Sequence, residues 1–419
     1  MEALMLSCST GGGHNSASKA MVSELNARGW HTTMMDPYTL QSDEMAKNVG
    51  ELYINIVKRY PSLFGVIYNI GKGYEQIEKV LPIGSPVLQF QRHTAILLGK
   101  YLDEHNPDVI ICTHPYPGMM ITQLKRMNHP LPPTYMVATD YTCIPFETQA
   151  RCDYMVIGSD RLKDEFLKWG LDPEHILSTG IPVDPKFEEK KDKKALRQKY
   201  KIDPDKTLIT IAAGSMGASG LLNVLESLET WLSKSDDIHA IVVCGSNEDL
   251  QKKLEDQNFP NLSVIGFTDK MDTLLTISDL FITKPGGLSI TEAAAVGIPL
   301  LLTDPIPGCE DANAAFFSSL GMADYAPYRS SLPEAIDHIL KSENRAAMLA
   351  AQRTKLPHHT AAALADFIEK DLVRLSSLEK SSQEDVGSIV REAEETEDAE
   401  DSAGLFSILK SRAGRHFRL

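Results

Sequence analysis

Short apolar runs alternate along the chain with longer segments in which apolar residues recur every three or four positions. ALMLSCS (3–9) precedes a helical pattern from Ala17 to Leu25, and DVIICTHPYPG (108–118) and DYMVIGS (153–159) are further apolar runs that break into turns. Short apolar runs bounded by turns indicate buried strands, and their alternation with helices is typical of parallel βαβ units. The pattern therefore predicts an α/β fold.

The same rhythm restarts with KTLITIAAGSMGASGLLNVLESLETWL after residues 187–206, a polar, lysine-rich stretch that is typical of a solvated helix. Further strands are predicted at 239–246, 261–267, 279–287 and 298–304. Each half opens with a strand, a glycine loop and a helix, which predicts two Rossmann-like, doubly wound domains that face each other across a cleft. Because ligands of such sheets bind beyond the carboxyl ends of the strands, we expect the glycine loops to meet in that cleft.

Composition suggests the domain boundaries. We expect a first domain over residues 1–188, a linker over 189–206, a second domain over 207–357 and a helix over 358–376 that packs back toward the first domain. Residues 377–419 are acidic and then basic, and are predicted to be disordered. Two interpretations of its last stretch, GLFSILKSRAGRHFRL, stay open: an amphipathic helix on an anionic membrane surface, or a frayed terminus without a function.

Charge and cysteine content exclude several classes of function. A net charge of −15 argues against general nucleic-acid binding, which needs a basic face. The six cysteines form no CxxC pair, which argues against a zinc site or a disulfide framework and suits a reducing cytoplasm. The apolar runs are too short to span a bilayer, and we expect no secretory signal.

Two glycine turns in the second half are candidate anion sites. Gly214, Ser215 and Gly217 follow one predicted strand, and Gly286–Gly287 follow another. Glycine allows backbone N–H groups to approach an anion, and the next helix N-terminus adds a favourable field. A tight turn without a ligand needs the same glycines. The glycines alone therefore do not distinguish an anion site from an ordinary turn.

Carboxylates follow the second turn. Glu292 is predicted in the first turn of a helix that begins near Ser289, where it can accept hydrogen bonds from the two hydroxyls of a ribose. Glu310, Asp311 and Asn313 follow a Pro/Gly loop, and carboxylate plus amide suits the hydroxyls of a sugar ring. The ordinary alternatives are a favourable first-turn residue and a polar loop in which Asp311 or Asn313 caps a helix.

Eight motifs, in this order, resemble one known family: GGGH, THPYPG, VATDYTCIPF, STGIPV, VCGSN, GFTDKM, KPGG through TEA, and PGCEDAN. The family is that of the monogalactosyldiacylglycerol synthases and processive diacylglycerol glucosyltransferases, and the resemblance covers residues 3–375. It implies the GT-B fold, with a UDP-sugar in the C-terminal domain and a lipid acceptor in the N-terminal one. The implied reaction is inverting transfer of glucose or galactose to diacylglycerol or a related membrane lipid.

The resemblance also implies roles for individual positions. Glu292 holds the ribose, Glu310 and Asn313 address the sugar, and the glycine turns hold the diphosphate, while the stretches 244–247 and 266–271 flank the uracil. The predicted donor-binding residues are Gly12, Gly13, Gly214, Ser215, Met216, Gly217, Gly245, Phe267, Met271, Gly286, Gly287, Ser289, Glu292, Glu310, Asp311 and Asn313.

His14 matches the family's histidine at the acceptor side and is the candidate general base. Imidazole has the side-chain pKa closest to neutral pH, and a helix N-terminus disfavours its charged form. Asp140 is predicted to orient this imidazole or to position the acceptor. No metal is expected, because helix N-termini can stabilise the leaving diphosphate. The ordinary alternative is that His14 only makes a hydrogen bond within its loop.

The acceptor side is predicted in residues 52–102, which are rich in Tyr, Phe, Ile and Leu. In the family this region touches the bilayer, and Lys58, Arg59 and Lys72 are candidates to meet lipid headgroups, although core packing is the alternative. We therefore expect a cytoplasmic protein, peripheral on the membrane. Many relatives place an aromatic residue soon after the TD motif, where this chain has Phe146 followed by Glu147, so the acceptor lipid stays open.

Other reactions fit parts of the same pattern. An N-acetylglucosaminyltransferase that acts on another lipid and a UDP-N-acetylglucosamine 2-epimerase are the alternatives, and a sugar-nucleotide sensor without catalysis is a further one. The GGGH loop and the apolar 52–102 region favour lipid glycosylation, because an epimerase requires neither a lipid face nor an acceptor base.

Overall fold

The computed structural model describes residues 1–8, 12–59, 85–212, 214, 221–233, 236–257, 259 and 261–395. The chain divides into two compact units, 1–365 and 366–419. The predicted site residues Ser215, Met216 and Gly217, the headgroup candidate Lys72 and the basic C-terminal stretch lie outside the described residues.

The first half of unit 1–365 is a parallel sheet covered by helices. Its strands have the order β2-β1-β3-β4-β5-β6, and β3 and β4 are buried along their whole length, as their apolar sequences require. The strands are β1 (Glu2–Leu6), β2 (His31–Met35), β3 (Val109–Cys112), β4 (Thr134–Val137), β5 (Tyr154–Val156) and β6 (Ile176–Leu177). The helices are α1 (Gly12–Ala27), α2 (Asp43–Arg59), α3 (Pro86–Phe90), α4 (Arg92–His105), α5 (Pro115–Arg126) and α6 (Lys163–Lys168).

The second half repeats this architecture after α7 (Lys193–Lys199). The strand order is β12-β11-β10-β7-β8-β9, again parallel throughout. The strands are β7 (Thr207–Ala212), β8 (Ile238–Val243), β9 (Leu262–Ile265), β10 (Leu280–Thr283), β11 (Leu300–Leu302) and β12 (Asp324–Tyr325). The helices are α8 (Leu221–Leu232), α9 (Glu248–Gln257), α10 (Met271–Ile277), α11 (Gly287–Val296), α12 (Cys309–Ser319), α13 (Leu332–Ile339) and α14 (Ser342–Lys355). The prediction of two doubly wound α/β domains is confirmed.

The stretch predicted as a solvated linker is anchored to the second domain. Arg197 in α7 is buried, and its guanidinium donates to the carbonyl oxygen of Ile277 at 2.8 Å and to the Asp279 carboxylate at 2.6 Å. Asp279 in turn accepts from the Leu208 N–H at the start of β7. Charge alone suggested a solvated helix, but tertiary packing buries one cation where a carboxylate and carbonyl groups satisfy it.

The last helix is longer than expected. α15 (Thr360–Glu395) begins in unit 1–365, where the Val183 N–H donates to Thr360 Oγ1 at 3.2 Å, and continues into the second unit. The prediction of disorder from residue 377 is wrong as far as Glu395. This stretch contains strong helix formers, among them Leu378, Lys380, Arg391, Ala393 and several glutamates. Within the described residues, no helix is both long and apolar enough to cross a membrane.

The two halves of unit 1–365 touch where β4 ends. The Thr139 carbonyl group lies directly over Gly287, so that a Cβ at this position would overlap the Thr139 oxygen. The next residue but one, Tyr141, donates its N–H to Asn313 Oδ1 at 2.6 Å, and its hydroxyl meets Thr291 Oγ1 at 2.8 Å. The segment after β4 therefore packs against the N-terminal parts of α11 and α12.

We expect Gly287→Ala to lower the urea midpoint of unfolding, since the new Cβ has to push the Thr139 backbone away. Overpacking of this kind costs about 1–3 kcal/mol. The matched control is the neighbouring Gly286→Ala, because Gly286 has a negative φ of −69° and the nearest atom to its Cβ position is 3.5 Å away. Equal midpoints for the two variants would contradict the close backbone contact.

Candidate functional site

A cavity of about 400 Å³ opens between the two domains, at the carboxyl ends of β1, β4, β7, β8 and β10. Most of the predicted site residues that the structure describes line it: Gly12, Gly13, His14, Asp140, Gly214, Gly245, Phe267, Met271, Gly286, Gly287, Ser289, Glu292 and Glu310. The parallel strands bring these residues together from both halves of the sequence, as the glycine loops predicted.

Two helix N-termini meet at this cavity. Helix α1 begins at Gly12 and α11 at Gly287, and a Cβ on Gly13 would lie 3.7 Å from the side chain of Leu288. Because each N-terminus carries unpaired N–H groups and a partial positive charge, the space beside them favours an anionic group. The arrangement suits the diphosphate that the glycine turns predicted.

His14 is held by two hydrogen-bond partners that follow the neighbouring strands β3 and β4. Its Nδ1 lies 2.7 Å from the carbonyl oxygen of Thr113 and 3.1 Å from Thr139 Oγ1. A carbonyl oxygen can only accept, so Nδ1 carries the hydrogen and Nε2 keeps its lone pair. The orientation that the sequence hypothesis assigned to Asp140 is therefore supplied by Thr113 and Thr139.

The imidazole of His14 is uncharged over most of the pH range. Burial lowers its pKa to about 4, opposed by the hydrogen bond to the Thr113 carbonyl group. His114, which sequence analysis left in a motif without a role, packs its ring against His14 with centroids 4.5 Å apart. Its own pKa is lowered by burial and by His14, and its Nδ1 accepts from the Tyr116 N–H, so the second ring is neutral as well. Because both rings are neutral, Nε2 of His14 keeps an unprotonated lone pair at neutral pH.

Asp140 and Asn313 form a bridge between the domains. Asn313 Nδ2 donates to Asp140 Oδ1 at 2.7 Å and to the Pro285 carbonyl oxygen at 2.9 Å, while its Oδ1 accepts from Tyr141. Asn313 is fully buried and does not line the cavity, so its hydrogen bonds give it a structural role here, and its contact with the sugar stays a prediction. Burial raises the pKa of Asp140, opposed by Asn313 and by the charge of Lys284.

Glu292 faces the cavity from the second turn of α11. The helix begins at Gly287, two residues before the predicted start, so the expected first-turn position was wrong. Burial raises the pKa of Glu292 to about 8; Lys186 opposes this shift and Asp184 adds to it. Both of these residues belong to the segment that connects the domains, and both line the cavity. The sequence placed them next to a linker, where nothing distinguished them from solvated charges.

Glu310 and Asp311 have different roles, although they are neighbours in the first turn of α12. Glu310 is buried and lines the cavity, and its carboxylate accepts from Lys284 and, at 2.8 Å, from the Ile306 N–H. Asp311 is exposed and accepts from the Gly308 N–H at 2.9 Å, which caps the helix. The ordinary interpretation of Asp311 is correct, and its predicted contact with a sugar is not supported.

The cavity is also lined by Gly245 and Phe267, in the loops after β8 and β9, and by Met271 at the start of α10. The Phe267 side chain is 73% exposed. An exposed aromatic ring beside a cavity is a suitable surface for a planar base. Among the described residues, no group of three or more side chains is arranged to hold a metal ion.

In the predicted acceptor region of the first domain, Leu52 and Phe90 are exposed, whereas Leu88, Leu98 and Leu102 are buried in the core. Leu52 is 64% and Phe90 is 58% exposed. Phe146 and Glu147, where the sequence differs from many relatives, are part of the local fold. Glu147 is buried, and its carboxylate accepts from the Ile144 N–H at 3.1 Å. Phe146 has a positive φ of 67°. These two residues shape the turn after the TD motif.

Two protein-family models match the chain. The model of monogalactosyldiacylglycerol (MGDG) synthase matches residues 14–183, and the model of the glycosyltransferase family 28 C-terminal domain matches residues 208–367. A processive diacylglycerol beta-glucosyltransferase of Bacillus subtilis (strain 168) is 31% identical over 348 residues, which cover 81% of this chain and 87% of the relative.

Solved structures share the architecture. MurG of Acinetobacter baumannii superposes with a TM-score of 0.58 at 13% identity, over 88% of this chain and 99% of MurG. UDP-GlcNAc 2-epimerase of Neisseria meningitidis, bound to UDP-GlcNAc, superposes with a TM-score of 0.57 at 14% identity, over 89% and 100% of the two chains. These likenesses show the fold alone, so the architecture does not separate sugar transfer from epimerisation.

We expect His14 to titrate below pH 5, because its burial disfavours the imidazolium. Since the folded pKa lies below the unfolded value, His14 contributes stability above pH 6.5 that is lost as the pH falls toward 4. NMR of histidine-labelled protein measures this pKa, with His14→Gln assigning the resonance. A pKa near the ordinary 6.5 would contradict the buried, neutral imidazole.

Proposed function

Because the chain belongs to the family of the monogalactosyldiacylglycerol synthases and processive diacylglycerol glucosyltransferases, we propose that it transfers a hexose, glucose or galactose, from a UDP-sugar to diacylglycerol. The family resemblance drawn from the eight motifs is confirmed by the two family models and by the relative from Bacillus subtilis. The relative's name specifies glucose, which favours UDP-glucose as the donor. The observation that carries the proposal is an unprotonated Nε2 on His14 in a cavity that two helix N-termini make favourable for a diphosphate.

The chemistry follows from this geometry. The acceptor hydroxyl oxygen attacks the anomeric carbon on the face opposite the diphosphate, and its proton passes to Nε2 of His14. The bond from the anomeric carbon to the β-phosphate oxygen breaks, and the electron pair leaves with UDP. The N-termini of α1 and α11 oppose the negative charge that develops on this oxygen, a role that a divalent cation has in other transferases. We infer that no metal is required, and inclusion of EDTA in the assay tests this.

The donor lies across the second domain in this proposal. The uracil lies beside Gly245, Phe267 and Met271, the ribose hydroxyls donate to Glu292, and the diphosphate lies at Gly214, Gly286 and the start of α11. All of these residues line the same cavity, which supports the donor class.

The acceptor side faces a membrane. We infer that the protein is peripheral on an anionic membrane surface on the cytoplasmic side, because diacylglycerol resides in a bilayer and because Leu52 and Phe90 present apolar surface in the predicted acceptor region. Transfer of N-acetylglucosamine to another lipid and epimerisation of UDP-N-acetylglucosamine remain the alternatives, and the sequence relative makes them weaker than hexose transfer.

The transfer assay uses purified protein, liposomes that contain diacylglycerol and anionic lipid, and UDP-glucose, UDP-galactose or UDP-N-acetylglucosamine in separate reactions. We expect mass spectrometry to detect a hexosyl lipid, and we expect His14→Ala to lower kcat by about 10²- to 10⁴-fold because the general base is lost. His358→Ala is the control, since His358 is exposed and does not line the cavity. Absence of a glycolipid with every donor, or a fully active His14→Ala, would overturn the proposal.

Donor binding is expected to depend on the ionisation of Glu292. With a pKa of about 8 in the free protein, this carboxyl group is mostly protonated at pH 7, whereas the ionised form accepts stronger hydrogen bonds from both ribose hydroxyls. The affinity for UDP-glucose should therefore rise from pH 6.5 to 8.5 and then level off. Glu292→Gln should bind more weakly and without this dependence. Isothermal titration calorimetry measures both, and parallel pH profiles for the two proteins would exclude the ribose contact.

A further inference from the structure

Lys284 lies where the two phosphate-binding turns meet. It directly follows β10, which pairs with β7, so the loops after these strands lie side by side at the edge of the sheet. A Cβ on Gly214 would be 3.1 Å from Cε of Lys284, and Pro285 separates the lysine from the N-cap of α11 at Gly286. Lys284 is only 17% exposed, and it lines the cavity.

The partner of Lys284 is a carboxylate that lies close to the start of the same helix. Glu310 Oε1 accepts from Lys284 Nζ, and a Cβ on Gly286 would lie 3.5 Å from this oxygen. An ammonium group together with a helix N-terminus is a set of groups that binds phosphate oxygens. In the structure a side-chain carboxylate takes this place.

We propose that Lys284 binds the diphosphate of the donor, and that Glu310 is an internal anion which the diphosphate displaces from it. The inference rests on the proposed donor class, a UDP-sugar, and adds a binding residue to it. A carboxylate carries one negative charge and a nucleoside diphosphate carries more, so the exchange increases the charge opposite Lys284. Once released from Lys284, Glu310 still lines the cavity, where its carboxylate can accept a hydrogen bond from a sugar hydroxyl.

Burial explains why the lysine has a partner of this kind. A buried ammonium group without a counter-charge is strongly unfavourable, and an internal carboxylate removes that cost in the free protein. The same carboxylate competes with the ligand for Lys284. The Lys284–Glu310 ion pair therefore keeps the lysine in position but lowers the affinity for the donor. A purely structural ion pair would instead have no preference between ligands with and without phosphate.

The two partners therefore have opposite effects on UDP binding. We expect Lys284→Met to weaken UDP by about tenfold or more and to leave uridine, which lacks phosphate, unchanged. We expect Glu310→Gln to bind UDP as tightly as the wild type or up to about tenfold more tightly, because the competing charge is removed. Lys284→Arg should recover most of the UDP affinity. UDP rather than UDP-glucose is the probe, since Glu310 also faces the sugar.

Isothermal titration of UDP and of uridine into the wild type and the three variants measures these differences, with circular dichroism melts to verify folding. Equal losses of UDP and uridine affinity in Lys284→Met, or a Glu310→Gln that weakens UDP as Lys284→Met does, would overturn the proposal. If Lys284→Met does not fold, the UDP affinity of Glu310→Gln tests the proposal by itself: a lower affinity than that of the wild type would overturn it. A wild type that binds UDP but makes no glycolipid would contradict the proposed function and leave this inference intact.

Discussion

The carbonyl group of Thr139 lies against the backbone of Gly287, and the remaining geometry of the cavity depends on this approach. Thr139 belongs to the segment after β4 of the first domain, and Gly287 opens α11 of the second. The contact is possible because glycine has no Cβ. It sets the separation of the two sheets at the place where His14, Asp140 and the N-terminus of α11 face one another, and Tyr141 and Asn313 then stabilise it with hydrogen bonds from both sides.

Charge in the cavity is controlled mainly by burial. The same desolvation that keeps His14 neutral raises the pKa values of Glu292, Glu310 and Asp140. The helix N-termini and Lys284 supply positive charge to the cavity, while the imidazole of His14 remains uncharged. For the reaction we propose, in which a proton leaves the acceptor and negative charge accumulates on the diphosphate, such a cavity needs little reorganisation.

The fold itself does not determine this chemistry. UDP-GlcNAc 2-epimerase of Neisseria meningitidis shares the architecture. What favours transfer to a lipid is local: the imidazole with a free Nε2, and the outward apolar residues Leu52 and Phe90 on the same domain. The side chains at one cavity and the sequence relatives therefore indicate the function, and the arrangement of strands does not.

The sequence by itself determined the two parallel α/β domains, the cavity at the carboxyl ends of their strands and thirteen of the residues that line it. Hydrophobic periodicity and glycine turns are local signals, and in parallel sheets they imply where loops converge. Only the tertiary structure separated residues with the same local chemistry. Asn313 and Asp311 looked like ligands of a sugar, yet one bridges two domains and the other caps a helix, whereas Lys284, Lys186 and Thr139 had no such signal and line the cavity. Whether a polar side chain is free for a ligand depends on which distant groups already satisfy it, and that is decided by packing between segments far apart in the chain.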